Sequence, residues 1–291
     1  MDRAQQLSEF LKTRRARLRP EDVGVGNFGG QRRVPGLRRE ELALLAGVSV
    51  DYYTRLEQGR ARNASPDVLD AVAGALCLDA DERAHLHNLA KPTSTRRRPS
   101  RPQQVGPEMH QALQALATIP AYIIGRRLDI LAWNDLARTL IADFPALPSA
   151  ERNMARLVFL DDASKNLYPD WESKARDTVS NLRLDAGRHP DDLQLATLVG
   201  ELSLASADFR RLWADHNVQG KTRGLKQFNH PQLGELALDY VAMRAPDDPD
   251  MTMMIYSARP GSEAATALQL LASLSTPPAP DVAADGKHAP N

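Results

Sequence analysis

A single cysteine, Cys77, stands in 291 residues, so no internal disulfide can form and a reducing, cytoplasmic compartment is expected. No run of about 18 or more uncharged apolar residues occurs, which excludes a membrane-spanning helix and a membrane partner. The opening Met1-Asp2-Arg3-Ala4-Gln5 has no apolar segment behind its charges, so no secretory signal is expected. The seven histidines, at 85, 87, 110, 189, 216, 230 and 288, form no H-x-x-x-H pair. His85 and His87 would face different ways on a helix and cannot easily share a metal. Phosphate loops and nucleophile elbows are missing too. Val199-Gly200-Glu201 is ordinary helix sequence, and the glycines between 24 and 30 follow no strand, as a dinucleotide loop would require. No metal, cofactor or catalytic set is therefore expected, and the chain does not read as an enzyme.

What is there is an ordinary globular composition, 42% hydrophobic and 25% charged, of a length that favours two domains. The zero net charge hides an asymmetry: residues 1–105 carry an excess of six positive charges and 106–291 an excess of six negative ones. A basic front half suggests a polyanionic partner for that half. The Pro-, Ser- and Arg-rich stretch 91–106 reads as an exposed linker, and 276–291, which contains Pro277, Pro278, Pro280 and Pro290, as a frayed tail. This predicts an N-terminal domain over 1–90 and a second over 107–275.

Residues 1–90 read as five short helices and no strand. Leu7, Phe10, Leu11 and Leu18 keep helical spacing until Pro20. A helix over about 38–46 ends at Gly47; Ser49 then caps another over 50–58, which Gly59 stops. Ser65-Pro66 and the capping box Asp79-Ala-Asp-Glu82 start the last two. Residues 107–275 differ. Segments 121–124 and 128–133 read as strands joined by Gly125-Arg126-Arg127, a helical stretch follows to about 217, strands return near 225–228, 235–243 and 251–258, and a helix over 263–273 closes the domain. Strands at both ends enclosing helices predict an α+β domain with an antiparallel sheet.

The segment Glu41-Leu-Ala-Leu-Leu-Ala-Gly47-Val-Ser49-Val-Asp-Tyr-Tyr-Thr-Arg55-Leu-Glu57-Gln-Gly59 carries the functional argument. Two short helices joined by a glycine turn make a helix-turn-helix, with Leu42, Ala43, Ala46, Val48, Tyr53 and Leu56 inward. That leaves Val50, Asp51, Tyr52 and Arg55 on the outer side of the second helix, whose N-terminal residues reach base edges in the major groove. Val50 suits a thymine methyl, Arg55 a guanine, and Asp51 either a cytosine amino group or simply the helix dipole.

This pattern resembles the Cro/repressor-type helix-turn-helix regulators. With Arg32-Arg-Val-Pro-Gly-Leu-Arg-Arg-Glu-Glu41 and Tyr52-Tyr-Thr-Arg-Leu-Glu-Gln-Gly-Arg60, it resembles more narrowly the bacterial regulators that carry a C-terminal MmyB-like ligand-binding domain. The resemblance implies base readout by Ser49, Val50, Asp51, Tyr52 and Arg55. It places Arg32, Arg33, Arg38, Arg39 and Arg60 at DNA phosphates, which makes affinity depend on salt. The implied partner is double-stranded DNA, read as a two-fold operator by a homodimer.

The second half extends the resemblance. Tyr122-Ile-Ile-Gly-Arg-Arg-Leu-Asp-Ile-Leu-Ala-Trp-Asn134 is similar to the opening strands of a PAS-like sensor. Phe159-Leu-Asp-Asp, Leu167-Tyr-Pro-Asp-Trp171, Phe209-Arg-Arg-Leu-Trp213 and His230-Pro-Gln-Leu-Gly-Glu-Leu are similar to the MmyB-like domain. The family implies a small lipophilic ligand such as a fatty acid, in a hydrophobic pocket with one basic group for a carboxylate. Candidate pocket residues are Tyr122, Trp133, Arg127, Phe159, Trp171, Trp213 and His230; Arg126, Arg156, Arg210 and Arg211 are further candidate anchors. The alternative is that these aromatics only fill a core and the domain mediates dimerisation or another protein contact.

Overall fold

A computed structural model describes residues 3–24, 36–61, 64–91 and 103–275. Most of the expected linker, the expected tail, and Arg32 and Arg33 lie outside these residues.

The N-terminal part is all-α: α1 (Arg3–Arg17), α2 (Arg39–Leu45), α3 (Val50–Glu57), α4 (Pro66–Ala75) and α5 (Ala80–Ala90). Its helix starts obey local chemistry. Ser49 Oγ accepts from the Tyr52 N–H at 3.2 Å and Ser65 Oγ from Val68 at 3.4 Å. Asp79 and Glu82 cap each other's backbone at 2.8 and 3.3 Å, satisfying donors that a helix end leaves free. Gly47 and Gly59 sit at φ 64° and 68°, where a Cβ is disfavoured. At Gly59 a Cβ would also lie 2.5 Å from the Ala4 carbonyl oxygen. Phe10, Leu11, Leu42, Tyr53, Leu56 and Leu86 are fully buried between these helices.

The second part runs α6 (Pro107–Ala115), β1 (Ala121–Ile124), β2 (Ile130–Trp133), α7 (Asp135–Ile141), α8 (Met154–Leu160), α9 (Asp162–Leu167), α10 (Trp171–Arg188), α11 (Leu193–Ala205), α12 (Ala207–Ala214), β3 (Arg223–His230), β4 (Gly234–Arg244), β5 (Thr252–Ser257) and α13 (Glu263–Ser275). Among the described residues the strands form one antiparallel sheet in the order β2-β1-β5-β4-β3. The terminal strands are thus brought together: β1 pairs with β5, Tyr122 opposite Met254. The inner face presents Tyr122, Phe228, Leu236, Leu238, Tyr240 and Tyr256 to the helices, in one core with Phe144, Val158, Val179 and Phe209. α6 covers part of the outer face through Leu113.

β2 begins later than the alternation of 128–133 predicts. Residues 126–128 coil into a 3-10 turn with Arg127 and Leu128 at φ 58° and 64°, an uncommon conformation outside glycine. Side chains from distant elements hold it: the Arg127 N–H donates to Asp185 Oδ2 at 2.7 Å, and Asn153 Nδ2 donates to the Arg127 carbonyl at 2.8 Å.

The two parts share a core. Leu184 of α10 and Val218, in the strap between α12 and β3, belong to the N-terminal hydrophobic cluster. Arg14 Nη2 donates to the His216 carbonyl at 2.6 Å, Arg17 Nη2 to the Asp215 carbonyl at 2.7 Å, and His216 Nε2 lies 3.2 Å from Glu9 Oε2. Nothing in the sequence marks this seam.

Candidate DNA-reading face and ligand cavity

α3 stands with Ser49, Val50, Asp51 and Arg55 exposed and Tyr52 half-buried, while Tyr53 and Leu56 are fully buried. The turn from α2 therefore presents one side of α3 outward. On it Asp51 and Arg55, one helical turn apart, form an ion pair at 3.2 Å. Such an exposed pair is worth little, so Arg55 stays free to exchange Asp51 for another acceptor. Arg38 and Arg60 lie on the rim. Arg39 is held from behind: its guanidinium meets Glu57 Oε1 at 2.8 Å while its side chain remains 43% exposed. Glu57 is buried and also binds Arg15 at 2.8 Å. Burial opposes ionisation of Glu57, but the Arg15 and Arg39 hydrogen bonds outweigh it and hold its carboxyl below the usual range. α1, α2 and α3 are thus tied at one carboxylate, which holds Arg39 beside α3.

In the second part a cavity of about 110 Å³ lies between α10, the inner face of the sheet and the strap. That is small against the ~300–1,000 Å³ of ordinary ligand pockets. Ile124, Leu128, Met154 and Met254 give it an apolar side. Tyr122 and Tyr256 line it with their hydroxyl oxygens 3.4 Å apart. Burial pushes Tyr256 up to about 12 and Tyr122 well above its usual value, so both hydroxyls keep their protons as donors. Lys174, Asp177, Thr178 and Asn181 enter from α10, and Gly220, Lys221 and Thr222 from the strap. Asp177 holds Lys221 at 2.8 Å and Lys226 at 3.2 Å. Lys174 Nζ lies 5.1 Å from the centre of the Tyr168 ring, a cation–π distance. Burial and then Lys226 push Lys174 down to about 7, against the attraction of Asp177.

Of the pocket residues expected from sequence, Tyr122 lines this cavity and the others do not. Phe159 packs edge-on against both Trp171 and Phe209, and Trp213 stacks on Phe209, all in the helical core. Trp133 packs on Phe144 with Arg152 over its ring. His230, at the far end of β3, lies 3.1 Å from the Thr139 carbonyl. Arg127 is held by Asp129 and Asp192 at 2.8 Å each. Of the further anchors, Arg126 pairs with Asp250, Arg156 with Glu201 and Arg211 with Glu172. A larger groove of about 720 Å³ runs past Arg127, Arg152 and Arg156. Its arginines are already engaged, Arg152 with the Phe144 and Leu147 carbonyls. Lys174 was not legible as a site residue: in Trp171-Glu-Ser-Lys-Ala-Arg it reads as one more solvated helix charge. The fold puts it on the same α10 face as Ala175, Thr178 and Val179, all buried.

A family model described as MmyB-like transcription regulator ligand binding domain matches residues 105–271. One described as a helix-turn-helix domain matches residues 6–86. No curated protein matches the chain. No described helix is long and apolar enough to cross a membrane.

Proposed function

The chain belongs to the MmyB-like transcription regulators, and from that membership we propose that a small lipophilic ligand such as a fatty acid, bound in the cavity, controls how the helix-turn-helix engages DNA. Base readout falls to Ser49, Val50, Asp51, Tyr52 and Arg55, and phosphate contact to Arg38, Arg39 and Arg60, joined by Arg32 and Arg33. A single module contacts few bases, so the protein acts as a homodimer on a two-fold operator. One observation carries the regulatory part. The strap that contributes Gly220, Lys221 and Thr222 to the cavity also contributes Val218 to the core of the DNA-binding part. α10 does the same, lining the cavity near Lys174 and reaching that core at Leu184. A ligand larger than the present space presses on these walls, and movement of either is passed to the core of the N-terminal helices. Binding then shifts the population between DNA-competent and incompetent arrangements, to the extent that the ligand prefers one of them.

The test selects the operator from a random duplex pool with the full-length protein, then titrates the purified complex with dodecanoate. A shift in operator affinity of about fivefold or more, the lower range of ordinary allosteric coupling, is expected. An operator complex indifferent to every lipid tested overturns the sensing role. It would favour the interaction-module reading, for which the exposed outer sheet face of Leu225, Val241 and Met243 speaks.

A further inference from the structure

Four cations, Lys174, Lys221, Lys226 and Arg244, line the cavity against one carboxylate, Asp177. That carboxylate is shared by Lys221 and Lys226, and Arg244 stands exposed at the rim. Lys174 is different. Its residue is 8% exposed, and among the described residues no carboxylate reaches it within ion-pair distance. What it touches is the face of Tyr168, whose own buried hydroxyl has no hydrogen-bond partner. A buried ammonium without a counter-ion is costly, because hydration is lost and nothing replaces it. The apolar part of the same wall, Ile124, Leu128, Met154 and Met254, suits a hydrocarbon chain.

We propose that Lys174 is the specificity-determining residue of this cavity, selecting lipophilic acids over neutral lipids by taking their carboxylate as its missing counter-ion. The proposal rests on the reading of the second domain as a lipophilic-ligand sensor. A carboxylate there converts an unpaired buried charge into a charge-assisted hydrogen bond, and of the paired hydroxyls of Tyr122 and Tyr256 one keeps a proton to donate. An alcohol or ester of the same chain adds only a neutral hydrogen bond to its dispersion contacts, about half as strong as one to a carboxylate. The groups facing Lys174 are Lys226 from β3, Asp177 on its own helix, Lys221 from the strap, Tyr168 before α10 and the hydroxyls of Tyr122, Tyr240 and Tyr256 from the sheet. None of these supplies a free negative charge. Because burial holds Lys174 near 7 when the site is free, an arriving carboxylate must draw a proton onto it at higher pH. Acid binding at pH about 8.5 is thus coupled to proton uptake, and affinity falls as pH rises further.

The experiment measures binding of dodecanoate and 1-dodecanol to the full-length protein and to Lys174→Met, by calorimetry in two buffers of different ionisation enthalpy. Methionine keeps the length and apolar stem of lysine, and replacing a buried unpaired charge is compatible with folding; melting curves check this, with Lys174→Gln as a second variant. The wild type is expected to prefer the acid by about tenfold or more, with close to one proton taken up. Lys174→Met should bind the alcohol as before, lose the preference and show no proton uptake. An equal affinity of the wild type for acid and alcohol overturns the proposal while leaving the sensor reading intact. So does a preference that survives in both variants. Failure of both lipids to bind the wild type overturns the sensor reading itself and the proposal with it.

Discussion

The backbone N–H of Gly220 donates to Asp81 Oδ2 at 2.8 Å. Gly220 lines the cavity and Asp81 sits in the first turn of α5, so this hydrogen bond joins the cavity wall to the helix-turn-helix part. Asp81→Ala removes it without touching the cavity's other walls or α3. Dodecanoate should bind this variant within about twofold of wild type, while its effect on operator affinity becomes smaller than in the wild type. Parallel lipid and operator titrations check both; an unchanged coupling would show that this hydrogen bond carries none of the signal.

Two arginines near α3 should behave differently on mutation. Arg55 is exposed and only loosely paired with Asp51, so Arg55→Ala should cost about 1–3 kcal/mol on the preferred site and relax one base position. Arg39→Ala should weaken binding to all sequences and flatten the salt dependence. Competition binding against substituted duplexes at several salt concentrations separates the two.

Glu57 is fully buried and ties α3 to Arg15 and Arg39. Glu57→Gln leaves two cations facing an uncharged amide and should cost ~3 kcal/mol of stability, as removal of one member of a buried pair does. Because the native carboxyl is held below its usual range, its contribution is present at neutral pH and disappears as pH falls through the folded-state value. Urea unfolding of wild type and variant at neutral and acid pH measures both effects.

Gly187 of α10 lies flat against His85 of α5. A Cβ at Gly187 would come 2.4 Å from Nδ1 and 2.6 Å from Cε1 of that ring, so Gly187→Ala must push α5 and α10 apart. Overpacking of this kind typically costs about 1–3 kcal/mol. Limited proteolysis should release the DNA-binding part faster, and calorimetric unfolding should lose cooperativity between the two parts.

Acid should loosen the same seam. Burial, then neighbouring arginines, push His85 and His216 each down to about 3, from an ordinary 6.5. Between those values the unfolded chain takes up protons that the folded chain refuses, so stability is full above about 6.5 and falls progressively toward pH 3. Melting curves across that window should show the decline. His216→Asn, which tolerates the left-handed backbone found there (φ 51°), should make it shallower.

The sequence by itself determined what local chemistry controls. Ser49, Ser65-Pro66 and the Asp79–Glu82 box dictate helix starts, Gly47 and Gly59 their ends, and the spacing of Leu42, Ala46, Tyr53 and Leu56 the helix-turn-helix, because caps and periodicity act within a turn or two of chain. The alternating segments at both ends of the second half likewise announced an antiparallel sheet. Only the tertiary structure decided which side chains meet in the second domain. The expected arginine anchors find carboxylates contributed by other elements, as Arg156 finds Glu201 and Arg126 finds Asp250. Lys174 is left without one because the sheet closes over its face of α10. Nor does any local pattern show that Val218 and Leu184 belong to the neighbouring core. Burial and pairing across more than a hundred residues depend on which surfaces meet, and no spacing rule along the chain encodes that meeting.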